Sequence, residues 1–174
     1  MNTLELLTLQ CFSYFKVFKM KYLLPSILLI GNLQASELKL VGRSLLEYSI
    51  FKIDIYEISF YRSSDNSEEI HLDYKVNVEK KHSLTGWNRS LEHITKKDSE
   101  ILKKLNWILK NTENYITGDK VILKRNKNFV SISKNSKLIS SIEDSDIASI
   151  IFEPWIGSKP INDNIKKELL GDKS

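Results

Sequence analysis

The segment IHLDYKVNV at residues 70–78 alternates without a break. Ile70, Leu72, Tyr74, Val76 and Val78 share one phase, and His71, Asp73, Lys75 and Asn77 share the other. A helix of period 3.6 cannot gather that pattern on one face, whereas a pleated strand of period 2 does so automatically. The segment therefore predicts a strand with one buried and one wet face, which needs a sheet with an apolar layer over one side only.

The rest of the chain falls into place around that strand. ELKLV alternates Leu38 and Leu40 against charge, and Gly42 breaks or bulges it. In FKIDIYEISFY, Phe51, Ile53 and Ile55 share one phase while Tyr56, Ile58 and Phe60 share the other; such a switch inside one strand requires a β-bulge or burial on both faces. Two helices follow. Ser83 is placed to cap a helix whose stripe is Leu84, Trp87, Leu91 and Ile94, weakened by Gly86, and Asp98 to cap one carrying Ile101, Leu102, Leu105, Ile108 and Leu109. The chain then returns to strands, DKVILK and FVSIS across RNKN, then KLISSI across KNS. Helices around Asp146–Phe152 and Ile161–Leu170 close it. Strands in sequence-adjacent groups, with helices between and after them, predict an α+β fold with a mostly antiparallel sheet covered on one face by helices; a parallel doubly wound sheet would alternate element by element.

The last of these helices is preceded by FEPWIGSKP. Ile161, Ile165, Leu169 and Leu170 fall at near-helical spacing and Gly171 stands where a helix C-terminus favours glycine, so the segment reads as a docking helix. Trp155, between Pro154 and Gly157 in a turn-forming context, reads as a plug in a groove or a residue placed for a ligand.

Residues 1–36 stand apart. MKYLLPSILLIGNLQAS begins at Met20 with a lysine beside it, runs almost without polarity from Leu23 to Ile30, and ends on small residues at Ala35 and Ser36, the layout of a secretory signal. An apolar core of about ten residues is too short to span about 30 Å of hydrocarbon as a helix, so no stable membrane anchor is expected after cleavage. Glu5 sits where a signal needs positive charge, which implies that translation starts at Met20; an amphipathic N-terminal helix is the alternative. On this reading residues 37–174 form the mature domain, periplasmic or secreted, of a size suited to one core. The one cysteine, Cys11, leaves with the leader, and thiol or disulfide chemistry leaves with it. Loss of Lys16, Lys19 and Lys21 together with Glu5 brings the net charge of +4 to near +2. Lysines interleave with acids, as in KKDSEILKK, and no basic stripe carries interspersed aromatics, so nucleic acid is not an expected partner.

The succession LVG, FKIDIYEISFY, LDYKVNV, a helix, a second helix with Trp107, GDKVIL, FVSI, DIASIIF, WIG and ELLG resembles the bacterial secreted branch of the chalcone isomerase-like family over nearly all of residues 37–171. The resemblance implies an open-faced β-sandwich, a large antiparallel sheet under a helical layer with a cleft between them. In the plant enzymes of the family a strand arginine meets an anionic phenol, and threonine, tyrosine and asparagine side chains order substrate and water; other relatives bind fatty acids in the same cleft. Matched to that pattern, Arg43 beside Gly42 is the nearest counterpart of the arginine, although counting back along the strand reaches Ser44 unless one residue is inserted. Tyr56 takes the threonine position, and the tyrosine and asparagine positions fall near Leu84 and Leu91. The cyclisation machinery is thus not visible, and no catalytic residue is assigned.

Arg43, as a fork of donors for a carboxylate or phenolate, and Tyr56, as a hydroxyl in the cleft, are the candidate ligand-binding residues. For both, and for the three tryptophans, the alternative is an ordinary strand or core role. His82 and His93 lie eleven residues apart, about 16 Å along a helix axis and beyond one ion, while His71 is on a wet strand face, so neither a metal nor a cofactor is expected. No nucleophile with a neighbouring base, no carboxylate pair and no phosphate loop is present in the pattern. The reading that follows first is a non-catalytic binder of a small amphipathic or fatty-acid-like molecule; an isomerase of the intramolecular-lyase type and a ligand-free structural envelope protein are the alternatives.

Overall fold

The computed structural model describes residues 37–48 and 52–172; the leader and Phe51 lie outside the described residues. Six strands, β1 (Lys39–Tyr48), β2 (Ile53–Arg62), β3 (Glu68–Tyr74), β4 (Lys120–Asn126), β5 (Phe129–Lys134) and β6 (Lys137–Glu143), form one antiparallel sheet in chain order. Helices α1 (Lys80–Thr95) and α2 (Ser99–Lys110) lie between β3 and β4, and α3 (Ser145–Ile150), α4 (Glu153–Ile156) and α5 (Asp163–Leu170) follow β6. This is the expected α+β order. β3 ends at Tyr74 rather than Val78; the alternation beyond it survives as a single bridge between Val78 and Tyr115.

Directly paired residues share a sheet face. Ser44, Ile58, Leu72 and Val121 therefore lie in one row of the inner face, and Gly42, Phe60, Ile70, Leu123 and Ile132 in the next. Ile58, Phe60 and Ile70 are fully buried against the helices, with Leu91 of α1 and Leu105 and Ile108 of α2. Phe60 meets Phe152 edge-on at 6.3 Å. The phase switch read from the sequence is a bulge: Leu46 pairs with Tyr56 but Glu47 with Asp54, leaving Ile55 as the extra residue. A second bulge, at Val41, lies between the Leu40–Tyr61 and Gly42–Phe60 pairs.

Capping follows the sequence at α2 and departs from it at α1, and α5 has a cap that the sequence reading does not name. Asp98 accepts from the N–H groups of Glu100 and Ile101 at the start of α2, and Asn162 does the same for Asn164 and Ile165 in α5. α1 begins at Lys80, three residues before the expected Ser83 cap, with no side-chain cap on Glu79; a distant residue compensates, since Lys80 N–H donates to Asn114 Oδ1 at 2.7 Å. α5 docks on β1 at Gly42, and Gly171 ends it in the left-handed region at φ 77°.

Candidate functional site

The inner face is not filled everywhere. Between β1–β5 and helices α1, α2 and α4 lies a cavity of about 620 Å³, within the range usual for small-molecule sites. The sheet contributes the floor, including Leu72, Val121 and Leu123, and the helical layer adds Trp87, Ile108 and Trp155. Small or polar α1 residues, Ser83, Gly86 and Ser90, face the cavity where larger side chains would have closed it.

One wall is aromatic. Tyr56 meets Tyr74 edge-on at 5.3 Å, Tyr74 stacks on Tyr115 at 4.4 Å, and Trp155 meets Trp87 edge-on at 5.6 Å. Trp155 Nε1 donates to the Tyr56 hydroxyl oxygen at 3.2 Å, joining α4 to β2 across the cavity edge. Burial pushes the Tyr56 phenol up to about 12, against a small opposing effect of the Trp155 hydrogen bond. Tyr74 and Tyr115 are pushed up chiefly by burial as well. All three phenols are therefore neutral at physiological pH. Tyr56 accepts from Trp155, and its own hydroxyl hydrogen has no acceptor among the described residues, so it is available to an oxygen placed in the cavity.

The α4 turn that carries Trp155 is held from outside the cavity. Glu153 accepts from Ser158 N–H at 2.7 Å and Ser158 Oγ at 2.6 Å, and His93 Nε2 of α1 lies 3.2 Å away. Burial alone would raise the Glu153 carboxyl; the Ser158 and His93 hydrogen bonds outweigh it and hold the group below the usual carboxylate range. Trp155, expected in an irregular loop, is thus the third residue of a one-turn helix that starts at Glu153 and has Pro154 in its first turn, and it plugs the cavity edge.

The two candidate ligand residues part company. Tyr56 lines the cavity; Arg43 does not. Arg43 pairs with Ser59, whose row belongs to the outer face, and its half-exposed side chain lies 3.6 Å from Glu57. The unbroken pairing from Gly42–Phe60 to Leu46–Tyr56 sets this parity, and Ser44 is the residue turned inward, as the uninserted count along the strand implies. Arg43 at the polar end of this cavity is therefore corrected by the sheet register. Leu84 and Leu91, near which the resemblance puts a tyrosine and an asparagine, do not line the cavity either. The three histidines are dispersed. His71 bonds Glu69 on the outer face at 2.8 Å, His93 bonds Glu153, and His82 stands at the cavity edge. Among the described residues no three ligand-type side chains gather as a metal would require.

One charged lining residue, Arg89, is not among the residues the sequence singles out. Arg89 lines the cavity from α1, and its flank of the helix also carries His82 and Gly86. The signal was present as spacing, since residues 82, 86 and 89 fall at i, i+4 and i+7 beside the apolar stripe.

The comparisons agree with this architecture. No curated protein matches the sequence. Among solved structures, a fatty-acid binding protein of Arabidopsis thaliana superposes with a TM-score of 0.61 at 14% identity, covering 78% of this chain and 87% of its own; at that identity the likeness is one of fold. A family model described as chalcone isomerase-like matches residues 31–171, spanning every strand and helix described above. With the six-stranded meander, its helical cover and the hollow between them all within that match, the chain belongs to the chalcone isomerase-like family.

Proposed function

We propose that this protein is an exported, non-catalytic binder of a small amphipathic, fatty-acid-like molecule held between the sheet and α1, α2 and α4. The observation that carries the reading is the cavity of about 620 Å³ with an apolar floor and an aromatic wall. Apolar surface of this kind left open to water is unfavourable and is relieved by an apolar tail. Tyr56 supplies a neutral donor for an oxygen of the ligand, fixed in place by Trp155. The solved neighbour's name as a fatty-acid binding protein supports the ligand class, and the layout of residues 20–36 supports export.

Native mass spectrometry of the protein purified from an expressing cell tests the reading. The expected spectrum shows a bound mass in the small-lipid range that is lost on solvent extraction and restored by added dodecanoate. A protein that stays bare with both cellular lipid and added dodecanoate overturns it. The mass of the exported chain tests the rest: a mature N-terminus near Glu37 is expected, and a periplasmic or secreted chain still carrying Met20 removes the leader.

A further inference from the structure

We propose that the α1 stripe His82–Gly86–Arg89 is the mouth of the cavity, and that it selects an amphipath with one anionic head, which the Arg89 guanidinium holds. This rests on the ligand-binding reading above and adds the head chemistry and the route of access.

The three residues occupy i, i+4 and i+7 of one helix and so lie in a row, with His82 and Arg89 about 10 Å apart along the axis. All three line the cavity and all three are exposed, which is the combination expected where a cavity meets solvent. Gly86 is otherwise unexplained. Interior helix positions disfavour glycine, and a Cβ built on Gly86 has nothing within 4 Å, so no close packing requires its absence. Any larger side chain there would instead stand in the opening. In the same fold Gly42 shows the contrary case, a glycine enforced by backbone pressed against it.

The charge pattern gives the sign of the ligand. Four arginines lie among the described residues, and three are ion-paired: Arg43 with Glu57, and Arg62 and Arg125 with Glu68. Arg89 makes no ion pair among the described residues; Glu92, the acid one turn on that feels its charge, is bonded to Lys96, and neither Asp nor Glu is among the cavity-lining residues. A guanidinium at the edge of an apolar hollow that no carboxylate lines favours an anion and disfavours a cation. Its planar fork suits a carboxylate in two-point contact. With the head at Arg89, the tail extends under α1 toward the aromatic wall.

Intrinsic tryptophan fluorescence reads the site directly, because Trp87 and Trp155 both line it. The full chain, delipidated, is titrated with dodecanoate, dodecanol and dodecylammonium. Wild type is expected to bind dodecanoate about tenfold or more tighter than dodecanol, equivalent to about 1.4 kcal/mol, and dodecylammonium most weakly. Arg89→Ala is expected to bring dodecanoate down to the dodecanol value, with Arg89→Lys between them. Gly86→Phe is expected to weaken all three probes while thermal unfolding stays cooperative. Equal wild-type affinity for dodecanoate and dodecanol overturns the anion selection and leaves the binding reading standing. A carboxylate preference that survives Arg89→Ala, or one that Arg43→Ala removes, overturns the assignment of Arg89. Full binding by a folded Gly86→Phe protein overturns the mouth, and failure of all probes to bind removes the binding reading with it.

Discussion

One chemical change, glycine to alanine, has opposite consequences at two places in this chain. At Gly42 an ideal Cβ falls 2.5 Å from the Leu169 carbonyl oxygen, 2.7 Å from its carbon, and closer still to the Glu168 oxygen. These are backbone atoms at the end of α5 and cannot swing aside as a flexible side chain would. To restore ordinary van der Waals spacing, α5 must retreat from β1 by about an ångström or more. That helix buries Leu169 at 0% and Ile165 at 5% exposure, each contributing about 1.5–3 kcal/mol through burial. Complete undocking therefore costs about 3–6 kcal/mol, and a partial retreat on the scale of overpacking costs about 1–3 kcal/mol. Gly42→Ala is expected to lose about 1–3 kcal/mol if α5 shifts and more if it undocks. Gly86→Ala meets nothing within 4 Å and removes the helix penalty of glycine, gaining about 0.8–1 kcal/mol. Urea unfolding separates them: with a slope of about 1–3 kcal/mol/M, the Gly42→Ala midpoint falls by about 1 M and the Gly86→Ala midpoint rises by a few tenths. Midpoints moving in the same direction, or Gly42→Ala within about 0.5 kcal/mol of wild type, would refute the argument that α5 packs backbone to backbone on β1.

Tyr56→Phe strands the Trp155 indole N–H, which is buried and bonded to that hydroxyl; a loss of about 1–3 kcal/mol in urea unfolding is expected, and an unchanged midpoint denies the bond any role. Glu153 is held below its ordinary range, so its contribution is present above the unfolded pKa of about 4.3 and is lost as pH falls through the lower folded value. Glu153→Gln should therefore flatten the acid limb of a melting-temperature profile, and an acid limb as steep as wild type rejects the Ser158–His93 account. Asp98→Ala removes the cap of α2 and is expected to cost about 1 kcal/mol in the same unfolding assay. Dodecanoate at a hundredfold excess over its Kd should stabilise the wild type by about 2.7 kcal/mol; a melting temperature insensitive to it contradicts binding to the folded state.

What could be read in advance followed from local chemistry. The alternation through residues 70–74 needed only a half-buried strand, the cap at Asp98 and the Gly171 stop needed only helix ends, and the phase switch at residues 55–56 narrowed that strand to a bulge or two-faced burial, of which it has the bulge. The failures share one cause, dependence on a distant segment. Whether Arg43 or Ser44 faces inward depends on the register of β1 against β2, which the bulge at Ile55 shifts, and a one-residue change of register inverts the face of every side chain. The start of α1 could not be placed at Lys80 because its cap is Asn114, thirty-four residues on. Arg89 is not legible in the pattern because the apolar stripe of α1 marks Trp87 and Leu91 as its buried face, while the flank that opens the cavity is polar and glycine-containing.

The distribution of side-chain size shows why this sandwich is solid at one end and hollow at the other. Around Phe60, Val130 and Ile147 the helical layer supplies Ile151 and Phe152, each almost fully buried, and the guanidinium of Arg125 covers the Phe152 ring at 4.4 Å. Over Leu72 and Val121, α1 instead presents Ser83, Gly86 and Ser90. Lining atoms there forgo dispersion contacts that the solid end makes, so the hollow is a standing cost to the unliganded protein. That cost is tolerable because the packed end and the α5 dock hold the sheet without it. The bond from Trp155 to Tyr56 and the Glu153 bonds to Ser158 and His93 keep the edge of the cavity from collapsing inward. A tail entering the space recovers the missing contacts without moving the packed end, so stability and binding reside in separate halves of one sheet.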